Sequence, residues 1–427
     1  MVAGSSRRGG RSASFAEQNG RRVSAVCSAL GALAVLSAGL APSASAADVQ
    51  SQQWYLTAMK AEEMWKVSTG KGVKVAVVDT GVNPETTALK GQVLVGEVSK
   101  AVGYKATNDS SGHGTSMAEL IAGTGAGGGL KGLAPGAKIV PYRVAIRGLD
   151  SATETRKAPA LADVIRSIAD SDIKIISMSI TSDIDDPEDL EAIKYAQSKG
   201  KLMIAGTGND AQKKNFIGYP AAYPYVVGVA ASDESGKVGK FSEHGNYVDL
   251  ASPGLNVPTW CDNTFRSYCT GQGTSQATAI ASASAALVWS AHPKWTANQV
   301  LASLIDTAGR DWAKNNPSTY LGYGLIRPRM VLENSAFNPG PANTDPLARE
   351  NATGVTDKTG TSPSASASTP SQPSKGTSDG QTSAAGSTSD TSDTSGNTTM
   401  WVALGAAAAV LVIGGGAFAV IRSRRGA

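Results

Sequence analysis

Short, almost wholly apolar runs recur through the middle of the chain: Val73 to Val78, Ile139 to Ile146, Ile173 to Ile180, Leu202 to Ala205 and Val226 to Ala231. Runs this short and this apolar predict strands buried on both faces. Stretches with helical spacing fall between several of them, at Ser116 to Ala122, Leu161 to Ala169 and Leu190 to Lys199. Strand and helix in alternation predict an α/β fold, a mainly parallel sheet with helices on both faces in three layers. Ligands of such sheets bind past the carboxyl ends of strands. Asp79 and Asn209 both stand just past such an end.

One helix is predicted from composition as much as from period. After Gly273-Thr274-Ser275-Gln276-Ala277-Thr278-Ala279 the residues from Ile280 to Trp289 are almost all small and apolar, which suits a buried helix. A serine at its start lies where free backbone N–H groups and the helix dipole favour negative charge. Taken alone it reads as an ordinary capping residue. Upstream, Trp54, Leu56, Met59, Met64 and Trp65 predict a lead segment packed on the domain, with a helix near Ala58 to Trp65. A helix near Ala297 to Thr307 completes the domain, which is expected to close around Asn338.

The termini follow other rules. Five arginines precede an apolar run from Val23 to Leu40, and Ala44-Ser45-Ala46 offers a small-residue cleavage site. That is the plan of a secretory signal peptide. The residues after Arg21-Arg22 fit a twin-arginine signal poorly, so the general export route is expected. From 338 to 399 the chain is Ser, Thr, Gly, Pro, Asp and Ala with almost no large apolar residues, the composition of a disordered tether with a reach of about 45 Å. Trp401 to Ile421 is long and apolar enough for one transmembrane helix, and Arg422, Arg424 and Arg425 place the tail in the cytoplasm. The expected organisation is a signal peptide at 1–46, a lead segment at 47–70, a folded domain at 71–337, a linker at 338–399, a membrane helix at 400–421 and a cytoplasmic tail at 422–427. The domain is then expected outside the cell, held on the cell membrane by one helix.

Charge and cysteine content narrow the chemistry. The formal net charge is +4, but the first 46 residues and the last six carry more than all of it, leaving the remainder near −3. No basic patch points to nucleic acid. Of three cysteines, Cys27 lies in the signal peptide; Cys261 and Cys269 remain, and an even count in an exported protein implies a disulfide. No cofactor or metal is implied. The acidic run Asp183, Asp185, Asp186, Glu188 and Asp189 surrounds Pro187, which fits the first turn of a helix better than a calcium loop.

Three stretches carry candidate chemistry. Val75 to Val82 places Asp79 at a strand end, Ser111 to Ala118 places His113 at a Gly-flanked helix start, and Gly273-Thr274-Ser275 supplies a hydroxyl. A serine attacks only when a base takes its proton, and an imidazole does this best when a carboxylate fixes its tautomer. With three histidines in the chain, and His244 in a polar loop and His292 before Pro293, the base is nearly forced to be His113.

With that order of Asp, His and Ser, the chain from about Trp54 to Arg329 resembles the subtilases. The Asp79, His113 and Ser275 stretches match that family's motifs, as do Gly132 to Ala137 and Phe241 to Gly254. The resemblance implies a subtilisin-like fold in which Asp79 orients His113, His113 acts as base and acid, and Ser275 is the nucleophile. It further implies that Asn209 and the Ser275 N–H form an oxyanion hole. By the same resemblance Ser177-Met178-Ser179-Ile180-Thr181 and Gly206-Thr207-Gly208 line an extended polypeptide substrate by main-chain pairing. Thr181 stands where relatives usually have glycine, and Gln276 and Ala279 replace the usual Met and Pro. The absence of room for a folding pro-domain between Ala47 and Gly70, the cysteine pair, the tether and the single anchor resemble mycosins, the membrane-anchored subtilases of type VII secretion.

The expectation is therefore an exported, membrane-anchored serine endopeptidase linked to type VII secretion. The alternative is an envelope scaffold that uses the same domain as a binding surface. An intact Asp-His-Ser set together with Asn209 favours the enzyme.

Overall fold

The computed structural model describes residues 49–146 and 152–353. The expected signal peptide, membrane helix and cytoplasmic tail, and the expected tether beyond residue 353, lie outside these residues. Among the described residues no helix is long and apolar enough to cross a membrane.

Six strands, β1 (Lys74–Asp79), β2 (Lys138–Arg143), β3 (Ile175–Met178), β4 (Leu202–Gly206), β5 (Val226–Ser232) and β6 (Leu250–Pro253), form one parallel sheet in the order β2-β1-β3-β4-β5-β6. From β1 the chain first moves outward to β2 and then returns to lay β3 on the other side of β1. The direction of winding reverses there, so a crevice opens at the carboxyl ends of β1 and β3.

Alternate residues of β1 feed two cores: Val75 and Val77 join one cluster, Ala76 and Val78 the other. The first cluster holds α3 (His113–Ala122), α7 (Thr274–Ala291) and α8 (Ala297–Thr307); α1 (Trp54–Ala58) and α2 (Ala61–Trp65) of the lead segment join it through Tyr55 and Met64. The second holds α5 (Leu161–Ala169) and α6 (Pro187–Ser198), following α4 (Ala152–Lys157). Helix α7 lies along β3 to β6, and its small side chains let it approach the sheet. Two of its buried hydroxyls bond within the helix, Thr278 donating to the Thr274 carbonyl and Ser284 to the Ile280 carbonyl, both at 2.8 Å.

The acidic run opens α6: Pro187 is its first residue and the Asp186 carboxylate accepts the Glu188 N–H at 2.9 Å. Three elements differ from the sequence reading. The lead helix is two short helices, because Lys60 takes a left-handed conformation (φ 55°) between them. That turn lets the Trp54 indole donate to the Leu255 carbonyl while the Trp65 indole donates to the Leu133 carbonyl. Strand β6 and the hairpin of β7 (Val257–Trp260) and β8 (Tyr268–Gly271) went unpredicted; each is four residues long and rich in polar or small residues.

The boundary at 338 also needs correction. Residues 338–353 are part of the domain, not the start of a tether. Leu347 is buried in the core, Gln299 donates to the Gly340 carbonyl, Arg349 to the Asn315 carbonyl, and Asn351 accepts the Tyr225 N–H. A single leucine in a polar stretch does not register as a core segment, yet here it fills a site the domain supplies.

Candidate active site

Strand β1 ends in Asp79, whose side chain is fully buried, and α3 begins with His113. The Nδ1 atom of His113 lies 2.7 Å from Asp79 Oδ1. The same oxygen accepts the Thr80 N–H at 2.7 Å. This close approach depends on Gly114: a Cβ there would lie 2.2 Å from the Gly81 carbonyl oxygen and 3.1 Å from Asp79 Oδ1. Burial pushes the His113 pKa down, but the charge and hydrogen bond of Asp79, with the charge of Asp109, outweigh it and leave the imidazole above its ordinary value.

Asp109 is a site residue that sequence reading missed. Its carboxylate is buried and accepts the N–H groups of Ser111, Gly112 and Thr115 at 3.0, 2.9 and 2.8 Å, and the Thr115 hydroxyl at 2.7 Å. It therefore satisfies free donors at the start of the helix that carries His113. The available signal was an acid in a polar run just ahead of a helix start.

Ser275 is the second residue of α7 and is half-buried. Its Oγ donates to the Ser179 carbonyl at 3.3 Å, and the Ser179 hydroxyl donates back to the Ser275 carbonyl at 3.0 Å. Among the described residues Ser275 and His113 share no direct hydrogen bond. Asn209, past the end of β4, is exposed and turns its Oδ1 to the Thr274 N–H at 2.9 Å and to the Thr274 hydroxyl at 3.2 Å. A backbone N–H can only donate, so the oxygen faces Thr274 and the amide nitrogen is left free to donate elsewhere.

The two expected substrate strands are only partly available. Ser177 and Met178 sit inside the sheet, paired with Val77 and Val78 on one side and Ile204 and Ala205 on the other, and Met178 is fully buried. Neither has a free edge for a peptide. Gly206 is paired with Val229, and the Thr207 N–H donates to the Val229 carbonyl at 3.2 Å. What remains past the end of β3 is Ser179-Ile180-Thr181, opposite the end of β4 and the residues that follow it, with the Thr181 hydroxyl donating to the Gly206 carbonyl at 3.1 Å.

Two buried carboxyls flank the site. Glu119, on α3, accepts from the hydroxyls of Thr86 at 2.7 Å and Tyr268 at 2.8 Å, and burial pushes it up to about 7. Glu243 lies behind Gly208, where a Cβ would come within 1.9 Å of its Oε2; burial pushes it up to about 8. Cys261 and Cys269 are bonded, with Cα atoms 5.0 Å apart, across the β7–β8 hairpin. That hairpin touches the histidine helix and the loop before it: the Trp260 N–H donates to the Ser116 hydroxyl at 2.9 Å and the Asn263 amide to the Ser110 carbonyl at 2.9 Å.

A buried carboxylate on Nδ1 of a histidine, a serine at a helix start and a free amide donor can together support acyl transfer. Comparison with known proteins agrees with that chemistry. Residues 70–324 match the sequence profile of the subtilase family. The chain is 33% identical over 299 residues to the minor extracellular protease Epr of Bacillus subtilis, an alignment covering 67% of this chain but only 42% of that protein. It is 32% identical over 279 residues to thermitase of Thermoactinomyces vulgaris, covering 63% of this chain and 95% of that enzyme. Among solved structures it is similar to the MycP3 protease from the type VII (ESX-3) secretion system, with a TM-score of 0.54 and 28% identity over 65% of this chain and 87% of that one. Fervidolysin from Fervidobacterium pennivorans, a keratinolytic enzyme related to subtilisin, gives a TM-score of 0.56 and 26% identity over 68% of this chain and 46% of that one.

Proposed function

The chain belongs to the subtilase family of serine endopeptidases, and from that premise we propose that it hydrolyses polypeptides outside the cell through Asp79, His113, Ser275 and Asn209. Ser275 Oγ turns from the Ser179 carbonyl, gives its proton to His113 and attacks the scissile carbonyl carbon. Asp79 holds the proton on Nδ1 and stabilises the imidazolium that forms. The carbonyl oxygen, now an anion, accepts from the Asn209 side-chain amide and from the Ser275 N–H, which lies in the first turn of α7 where backbone donors lack helical partners. His113 then protonates the leaving amine. A water attacking the acyl-enzyme repeats the sequence in reverse and frees Ser275.

The observation that carries this reading is the 2.7 Å contact between His113 Nδ1 and the buried Asp79 carboxylate. Such a contact selects the tautomer whose other nitrogen is a base. Two further elements of the proposal rest on sequence and likeness. The signal-type start and the apolar run at 400–421 support export and single-pass anchoring in the cell membrane, with a short cytoplasmic tail. The MycP3 likeness supports a place beside type VII secretion machinery.

The test is labelling of the full-length protein with a fluorophosphonate, followed by peptide hydrolysis. Ser275→Ala is expected to abolish both, since it removes only the attacking oxygen. Turnover near that of the unaltered protein would rule out Ser275 as nucleophile. Asn209→Ala is expected to lower kcat by roughly 10²–10³-fold, a magnitude that comes from subtilisin itself, with little change in KM.

A further inference from the structure

We infer that Thr181 restricts the residue on the acyl side of the scissile bond to a small side chain. The inference rests on the proposed role of Ser275 as nucleophile and deepens it.

The position of that residue follows from the groups that hold its carbonyl. Its carbon must reach Ser275 Oγ, which lies 3.3 Å from the Ser179 carbonyl, and its oxygen must reach the amide of Asn209. The side chain one bond away therefore enters between the segment that begins at Ser179 and the segment that ends at Asn209. The walls of this slot are Ser179-Ile180-Thr181 and Gly206-Thr207-Gly208. Its floor is Gly218, whose Cβ, if it had one, would lie 2.1 Å from the Thr207 carbonyl oxygen.

Thr181 closes the slot in two ways. Its hydroxyl reaches across and donates to the Gly206 carbonyl at 3.1 Å, tying one wall to the other. Its methyl group lies over the floor, 2.9 Å from the position a Gly218 Cβ would take. The wall cannot swing outward, because the next residue is pinned: Ser182 and Tyr219 exchange two backbone hydrogen bonds of 2.8 Å each. A β-branched side chain adds stiffness, since it has few rotamers to offer. A phenyl or isobutyl group would have to displace both the methyl and the crossing hydrogen bond, whereas the methyl of alanine stops short of them.

The experiment compares peptides that differ only at this residue, Ala, Ser, Leu or Phe, with the full-length protein and its active sites counted by fluorophosphonate labelling. The unaltered protein is expected to cleave after Ala and Ser with kcat/KM at least about tenfold above Leu and Phe, the scale on which a hydrophobic slot discriminates by size. In Thr181→Gly the Phe-to-Ala ratio is expected to rise about tenfold or more, and Thr181→Ala serves the same purpose if the glycine variant does not fold. Thr181→Val keeps the volume without the hydroxyl and is expected to retain the small-residue preference. Cleavage after Phe as fast as after Ala, or a ratio unmoved by Thr181→Gly and Thr181→Ala, overturns the inference while leaving the proposed nucleophile intact. Failure of Ser275 to label overturns the proposed function and the inference together.

Discussion

Thr80 donates its hydroxyl to Asp109 at 2.7 Å, across 29 residues of chain, and accepts the Gly114 N–H at 3.0 Å. One threonine thus joins the strand end that carries Asp79 to the helix start that carries His113. The pairing of carboxylate and imidazole is held from both sides by buried hydrogen bonds, not by that contact alone.

The first prediction concerns Asp109, which positions His113 without touching it. Asp109→Ala leaves three backbone N–H groups without their acceptor and is expected to cost about 2 kcal/mol or more, read as a lower unfolding midpoint. Asp109→Asn removes the negative charge that helps raise the His113 pKa. With His113 in its proposed role as base, the acid limb of kcat/KM marks where it loses its proton, so that limb is expected to move to lower pH in this variant. A limb that stays in place would limit Asp109 to a structural role.

Gly114 sets the distance between helix and strand. In Gly114→Ala the new methyl would meet the Gly81 carbonyl oxygen at 2.2 Å, so α3 must back away from β1. Activity is expected to fall on the order of 100-fold, because small misplacement of a catalytic pair is costly. Circular dichroism and labelling rates measured on the same sample separate this from unfolding.

Glu243 makes stability depend on pH. Burial raises its folded-state pKa to about 8, against 4.5 for the ordinary carboxyl, and the nearby charges of Asp210 and Asp183 push the same way. Between those two values the folded protein keeps a proton that the unfolded chain has released, so stability falls as pH rises through the window. Glu243→Gln removes that dependence. It is expected to match the unaltered protein near pH 4 and to exceed it by on the order of 3 kcal/mol at pH 9, measured by denaturant unfolding. Equal stability at both pH values would contradict a protonated Glu243.

The C-terminal strap is testable by truncation. A chain ended at Asn338 loses Leu347, which is 2% exposed, and the bonds of Arg349 and Asn351. It is expected to unfold earlier than a chain ended after Thr353, by at least about 2 kcal/mol from the leucine alone. Equal midpoints would return the boundary to 338.

Met178 is expected to resist hydrogen peroxide in the folded protein, since its side chain is fully buried, whereas Met330 is 40% exposed. The residue after the proposed nucleophile is Gln276, which has no thioether to oxidise. Mass spectrometry of peroxide-treated protein is expected to find sulfoxide at Met330 well before Met178, with fluorophosphonate labelling retained.

What the sequence determined by itself was whatever depends on neighbours along the chain. The apolar runs predicted β1 to β5, Leu161–Ala169 and Ala297–Thr307 emerged as α5 and α8, and the motifs around Asp79, His113, Asn209 and Ser275 pointed to the candidate site. Each of these is a local pattern, a period or a short string with its own chemistry. Tertiary structure decided what depends on partners far apart. Strand β6 has few large apolar residues and is a strand because β5 pairs with it, and Leu347 is core because the domain leaves room for it. Asp109 is a site residue only because α3 turns its free N–H groups and Thr80 turns its hydroxyl toward one carboxylate. The split of the expected substrate strand is of the same kind. Ser177 and Met178 read like Ser179 and Thr181 in sequence, but two neighbouring strands already occupy their hydrogen bonds, and a backbone group can be spent on the sheet or on a substrate, not on both.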